Sequence, residues 1–285
     1  MRGTVNSRHP ARLIARTLHA AAVALAVSAV VIPLAYLVLN SLKLPREFLT
    51  VPPTLFPSEI TLEHYAAALT DPDTSRVFVN TIVVATSTTL ISVVIGTLAA
   101  YALARMRLPV GVMTVVLFIF LFIRFYPRVT TVIPFFLTVR TLGILDTVWA
   151  VVLGHLGITV PFVAWLMLIV FRGLPFELEE AAMVDGANVR QRLWHVAVPL
   201  AAPGIVTAAI FTAFFSWNEF LIASSVARSN AKVLSITVAS FVTDKGVYWG
   251  PMSATSVLMI VPMITFAFLV QRYLVKGLTL GAVKG

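Results

Sequence analysis

The stretch FELEEAAMVDGANVRQRLWHVAVPL, Phe176 to Leu200, holds four of the chain's 12 acidic residues, Glu177, Glu179, Glu180 and Asp185, within nine positions. Its local signals describe two short helices at an angle. Pro175 suits a first helical turn, the glutamates favour the positive N-terminal end of a helix, and Gly186 can take the left-handed conformation that stops one. Asn188 and Gln191 have the spacing of a capping box that starts a second helix, whose continuation Pro199 opposes. Glu177 and Glu180, three apart, project from neighbouring positions on one face, and the small side chains of Ala181 and Ala182 let another surface approach closely. Two uses fit these residues: a docking face, or a solvated loop whose charges keep it wet, since acids are expected in the first turn of any exposed helix.

Other polar side chains are embedded in apolar sequence, where each is costly unless it faces protein or water. Glu219, flanked by Trp217 and Asn218, lines a cavity, braces a neighbouring chain or anchors at an interface. His155 in VVLGHLGITVPF is a pathway candidate, against the plainer alternative of a histidine satisfied by an adjacent helix. Pro161 can kink that segment, Arg124 can reach an interface or an acidic partner, and Asn80 caps or braces a helix. Tyr248 and Trp249 either offer ring faces to a ligand or protein or sit in an interfacial aromatic belt. The chain has no cysteine, hence no disulfide or thiolate metal site. It also lacks H-E-x-x-H, G-x-S-x-G and the G-x-x-x-x-G-K-[ST] phosphate cradle.

The elements that must position these groups are membrane helices. Apolar residues make up 59% of 285 and charged residues 12%, with a mean hydropathy of +0.95; soluble domains carry about 25% charged residues. Uncharged gaps at 17–42, 77–104, 147–171, 193–218 and 246–271 each exceed the roughly 20 residues a helix needs to cross the hydrocarbon core. A sixth, Leu108 to Ile123, is 16 residues long before Arg124 interrupts it. None alternates with the period of two that a barrel strand requires. The expected fold is therefore all-α and polytopic, with six transmembrane helices near 17–42, 78–104, 108–126, 147–171, 201–224 and 252–271. The first run continues without a charge to Leu42, too long for the apolar region of a cleavable signal.

Basic residues set the orientation. Arg2, Arg8, Arg12 and Arg16 precede the first span, Arg105 and Arg107 close the second, and Arg272, Lys276 and Lys284 follow the last, with no acid at either terminus. Six spans then put both ends in the cytoplasm. The expected organisation is a cytoplasmic arm, 1–16, and one transmembrane domain, 17–285, with a cytoplasmic loop at 172–199, an external loop at 225–251 and a cytoplasmic tail at 272–285. The net charge of +9 is explained by this topology and by anionic lipid; no basic-aromatic surface supports nucleic-acid binding.

The spacing of Glu180, Ala181, Ala182, Gly186, Val196, Val198 and Pro199 resembles the EAA loop of ABC-importer permeases, with valine where isoleucine and leucine are usual. NSLKLPREF after the first span, VFVNTIVV entering the second, SWNEFLIA in the fifth and the terminal RYLVKGLTLGAVKG look like the carbohydrate-uptake branch, its MalG-type subunit. The resemblance covers essentially the whole chain. It implies a transport subunit rather than an enzyme, in the inner membrane of a bacterial or archaeal cell. Its implied partners are a second homologous permease, two ATP-binding cassette ATPase subunits and an extracytoplasmic sugar-binding protein. No cofactor is expected on this chain; ATP and Mg belong to the ATPases. By the same resemblance Glu180, Ala181, Ala182, Asp185, Gly186 and Pro199 form the ATPase-coupling loop. Glu180 would pair with a basic residue of the partner, and Gly186 would set the elbow. Asn218, Glu219 and His155 are candidates for the pathway or the interface between permeases. A secondary transporter or channel would be expected to carry more ionisable groups than His155, Glu219 and Arg124, and often an inverted repeat, which is not evident here.

Overall fold

The computed structural model describes residues 10–106 and 108–279. The arm residues Arg2 and Arg8, Arg107 and the tail beyond Thr279 lie outside the described residues. Helices follow in the order α1 (Pro10–Ser41), α2 (Glu63–Thr70), α3 (Pro72–Arg105), α4 (Val110–Phe125), α5 (Val129–Thr141), α6 (Val148–Gly173) and α7 (Glu177–Val184). Then come α8 (Val189–Arg192), α9 (Val198–Asn218), α10 (Leu221–Val226), α11 (Leu234–Ala239) and α12 (Trp249–Thr279). A two-residue strand pair, β1 (Val242–Thr243) and β2 (Gly246–Val247), precedes α12. Among the described residues, α1, α3, α6, α8 with α9, and α12 give five helices long and apolar enough to span a membrane, and the bent pair α4–α5 gives a sixth.

Among the described residues, 71–106, 108–240 and 259–279 form one compact unit. Its spine is α3 against α6, with α9 packed on both. Apolar burial gives little drive between helices in lipid, so close backbone approach and interhelical hydrogen bonds matter more. Gly96 supplies the approach: a Cβ there would lie 2.7 Å from Val163 Cβ. Ser92 and Thr159 supply a buried hydroxyl pair at 2.6 Å. One apolar cluster joins Tyr101, Phe171, Met167 and Leu193; another joins Val84, Val139, Val151 and Val226. The late residues of α3 and α6 meet the start of the α8–α9 rod, so α3 and α6 run parallel and α9 returns between them.

Two expected spans take a different form. The span at 108–126 is α4, but the chain then turns by 103° into α5, which falls in the expected connection. Pro127 is the reason: it cannot donate to the carbonyl four residues back, and it drives Tyr126 to an extended ψ of 132°. The helix of the span expected at 201–224 instead begins at Val189 and stops at Asn218. Pro199 does not interrupt it, because the turn Leu193–Ala197 widens to π geometry and the Val198 amide reaches back to Leu193 O. Its end is set by Glu219, which is extended at φ −69° and ψ 125°.

The described residues 10–70 and 241–258 form a second unit. In α1, Leu25 and Ile32 are 73% and 64% exposed, the all-round apolar surface of a helix made for lipid or another membrane helix. Beyond it, Lys43 is buried, donating to Thr54 O at 2.5 Å and lying 5.3 Å from the Tyr36 ring centroid. Glu47 accepts from the Ser58 amide at 2.8 Å and from the Ser58 hydroxyl. Those bonds, the hydroxyl first, hold the Glu47 carboxyl below its ordinary value. Tyr248 and Trp249 are exposed.

Candidate coupling and translocation site

The acidic segment folds as α7, a left-handed turn at Gly186 (φ +84°) and α8. Asn188 Oδ1 accepts from the Gln191 amide at 3.0 Å, and Gln191 Oε1 accepts from the Asn188 amide at 2.8 Å, so the capping box is formed. Pro175 lies just ahead of α7 rather than in its first turn. Glu177, Glu180, Ala181 and Asp185 are exposed, and Ala182 is half-buried.

Glu179 behaves differently from its acidic neighbours. Its side chain is 2% exposed, and Oε1 accepts from Arg105 Nε at 2.7 Å. Tyr101 donates its hydroxyl to Oε2 at 2.8 Å. Arg105 also donates to Leu174 O at 3.3 Å and stands 5.2 Å from the Phe176 ring centroid. One carboxylate therefore fastens α7 to the last turn of α3 while the others point outward.

At the far end of α9 the structure brings two of the expected residues together. His155 has no exposed surface; its Nδ1 shares a hydrogen bond with Ser216 Oγ at 2.8 Å, and its Nε2 lies 3.2 Å from Glu219 Oε2. The same carboxylate accepts from the amides of Ile222 and Ala223, the free N–H groups that open α10. Glu219 thus links α6, the end of α9 and the start of α10. Asn218 does not join this cluster: it is exposed and donates to Phe214 O within its own helix at 2.8 Å.

The chain between α10 and α11 is held by an aspartate far away in sequence. Asp146, at φ 58°, accepts from the amides of Arg228 at 2.7 Å, Asn230 at 3.1 Å and Ala231 at 3.0 Å. Burial raises its pKa, but the amides of Ala231, Arg228, Asn230 and Ser229 together outweigh burial and lower it to about 2. Asn80, within α3 rather than at its start, donates to Asn230 O at 2.7 Å and Lys232 O at 3.0 Å, so it braces the same segment. Where α4 bends into α5, Arg124 and Arg128 line a cavity of about 530 Å³ walled by Phe162, Trp165, Phe211 and Phe215.

Residues 92–280 match the family described as binding-protein-dependent transport system inner membrane component. The chain belongs to that family. A trehalose transport system permease protein of Mycobacterium tuberculosis (strain CDC 1551 / Oshkosh) is 35% identical over 234 residues, 81% of this chain and 85% of the relative. The trehalose/maltose transport system permease protein MalG of Thermococcus litoralis is 34% identical over 229 residues, 79% of this chain and 82% of the relative. A crystal structure of a bacterial ABC transporter involved in the import of the acidic polysaccharide alginate contains a chain that superposes with a TM-score of 0.76. That match has 25% identity and covers 95% of this chain and 99% of the other.

The family match makes the chain a multi-pass inner-membrane permease subunit of a binding-protein-dependent transport system, and not an enzyme. Within the matched residues lie both the α7–Gly186–α8 elbow and the His155–Glu219 pair. The parts that Glu179, Asp146 and Arg105 play in tying this permease together were not read from sequence. Glu179 sits among three other acids that look alike in sequence, and only its register against Arg105 distinguishes it. Asp146 had one readable signal, its place directly before the TVW that begins α6, but its partners are more than 80 positions away.

Proposed function

We propose that this permease imports saccharides with energy from a cytosolic ATP-binding cassette ATPase, and that α7, Gly186 and α8 are the joint through which the two move together. On this reading the elbow and both termini face the cytoplasm, in keeping with the basic arm and tail. A second homologous permease completes the pathway, and an extracytoplasmic binding protein delivers solute near the loop held by Asp146. Relatives named for trehalose and maltose transport support the saccharide class. A relative named for diacetylchitobiose uptake supports it as well. The observation that carries the coupling role is the division of labour on α7. Glu179 is bonded into the permease, whereas Glu177, Glu180 and Ala181 stay exposed on a helix eight residues long. A face of that kind receives a basic partner surface and cannot shift without pulling on α3.

In the cycle proposed, ATP binding closes the ATPase pair, the elbows move inward and the cavity between the permeases opens outward to accept solute; hydrolysis reverses the movement. Glu180 pairs with a cationic side chain of the ATPase, and Gly186 sets the angle between the two short helices. Glu180→Lys is tested in the assembled transporter in proteoliposomes, with uptake and binding-protein-stimulated ATP hydrolysis measured together. Both are expected to fall at least about tenfold, the factor that accompanies loss of a charge-assisted contact of about 1.4 kcal/mol, with membrane insertion unchanged. Wild-type uptake in that variant would refute the docking role.

A further inference from the structure

Arg124 lies in the last turn of α4 and Arg128 directly precedes α5, one on each side of the 103° bend. The cavity they line, about 530 Å³, runs along Ile158 to Leu166, the middle of the 26-residue α6. It therefore lies at mid-depth in the spanning bundle, and its volume falls within the range of small-molecule sites. A second cavity of about 420 Å³ shares Ile123, Arg128 and Ile158 with the first and continues toward Gly154. Arg128 thus stands where the two meet.

Neither guanidinium has a carboxylate partner among the described residues. The carboxylate contacts there engage Arg46, Arg76, Arg105 and His155, and Glu219 is already committed to His155 and α10. Each arginine instead lies over a ring: Arg124 is 5.8 Å from the Phe162 centroid and Arg128 is 5.0 Å from that of Phe215. A ring orients a guanidinium but does not neutralise it, and its N–H edge remains available to an anion. Cations at membrane depth are rare, face the interior or a water-filled cavity, and mark the pathways of solutes and ions. Lipid phosphates sit at the headgroup level rather than mid-helix, which favours a solute passing through.

We propose that Arg124 and Arg128 form an anion-recognising subsite of the pathway, so that the solute carried is an acidic saccharide. A carboxylate on the sugar pairs with the planar guanidinium forks. The apolar faces of the sugar ring rest against Phe162, Trp165 and Phe211. This inference depends on the saccharide-import reading above and specifies the class of saccharide.

The test uses the complete transporter with its own partner subunits and binding protein in ATP-loaded proteoliposomes. The probes are uronate disaccharides and the same disaccharides with their carboxyls reduced to hydroxymethyl groups. Wild type is expected to take up the uronate form about tenfold faster, and Arg124→Gln and Arg128→Gln are expected to bring that ratio to about one. Arg128→Lys is expected to keep part of the preference, because the charge survives without the fork. The proposal fails if wild type shows no preference or prefers the reduced sugars, if the Gln variants keep the wild-type ratio, or if they lower both rates alike. It also fails if the Gln variants lose a co-purifying anionic phospholipid or the partner permease while the ratio stands. Absence of ATP-dependent uptake for every saccharide would remove the import reading itself, whereas uptake of neutral saccharides alone would leave that reading intact and remove only this one.

Discussion

Replacing Glu179 by glutamine removes one charge from a pair whose side chains are 2% and 11% exposed and meet at 2.7 Å. Glutamine preserves the volume and can still accept the Tyr101 hydroxyl, so the change isolates the ion pair. Removing one partner of a buried pair costs about 3–5 kcal/mol, because the surviving charge is left uncompensated. Arg105 retains Leu174 O and the Phe176 ring, and its slight exposure admits water, so the lower end, about 3 kcal/mol, is expected. That corresponds to roughly a 150-fold shift in the equilibrium between α7 held on α3 and α7 released. A helix of eight residues does not persist alone in water, so release also melts it. Amide hydrogen exchange over residues 177–184 is expected to speed up by about 100-fold, with little change in the rest of the chain. Solute moved per ATP hydrolysed is expected to fall in the reconstituted transporter. Wild-type protection of α7, or wild-type stoichiometry, would show that this carboxylate does not position the joint.

Asp146 has a folded pKa of about 2 against an ordinary 3.8, so its hold on residues 228–231 is complete above about pH 4 and is lost as the pH falls through about 2. Intrinsic-rate-corrected amide exchange of that loop should rise across this window. Asp146→Asn should raise the rate of tryptic cleavage after Arg228 at neutral pH by about tenfold, for about 1.4 kcal/mol of lost charged hydrogen bonding. Gly96→Ala would place a Cβ 2.7 Å from Val163 Cβ and 3.0 Å from the Ala164 amide nitrogen, a backbone atom that cannot step aside. Overpacking of this kind costs about 1–3 kcal/mol, and a thermal-shift assay should show a lower Tm. Gly157→Ala, where the added Cβ meets nothing within 4 Å, should leave the Tm unchanged.

Composition and local chemistry made the helical, multi-span fold, the glycine elbow and the capping box readable, because each depends on residues close together in the chain; the family came from the resemblance of its motifs. Gly186 and the Asn188–Gln191 pair are local devices, and both are formed. What escaped was set by tertiary partners. Nothing within FELEEAAM says which glutamate turns inward; that depends on Arg105, 74 positions earlier. Asn80 reads as a helix-terminal polar residue until Asn230 and Lys232 are brought beside it. The broken third span had a local signal, Pro127 directly after Tyr126, that was outweighed by the dense apolar run before it. The passage through Pro199 had none, since a π turn repairs a proline by a register change that no single residue announces.

These long-range ties also indicate how a stroke at α7 and α8 would reach the pathway. Three connections leave the proposed joint. One is the Glu179–Arg105 pair into α3, and two are covalent, back through residues 174–176 to α6 and onward through the π turn into α9. The helix from Val189 to Asn218 has 30 residues, which at 1.5 Å each makes a rod about 45 Å long. A tilt of about 5° about its lower end would displace its far end by about 4 Å on that length. At that far end Glu219 breaks the helix, caps α10 and pairs with His155 on α6, so the rod meets a fixed bracket rather than a loose loop. The same α6 lies tight against α3 at Gly96, leaving little room for α3 and α6 to slide. Motion is then taken up where α9 faces α4 and α5, which is where the arginine-lined cavity lies. A coupling joint at one end and a bracket at the other would thus concentrate the change in shape at mid-depth, on walls formed by Phe211 and Phe215.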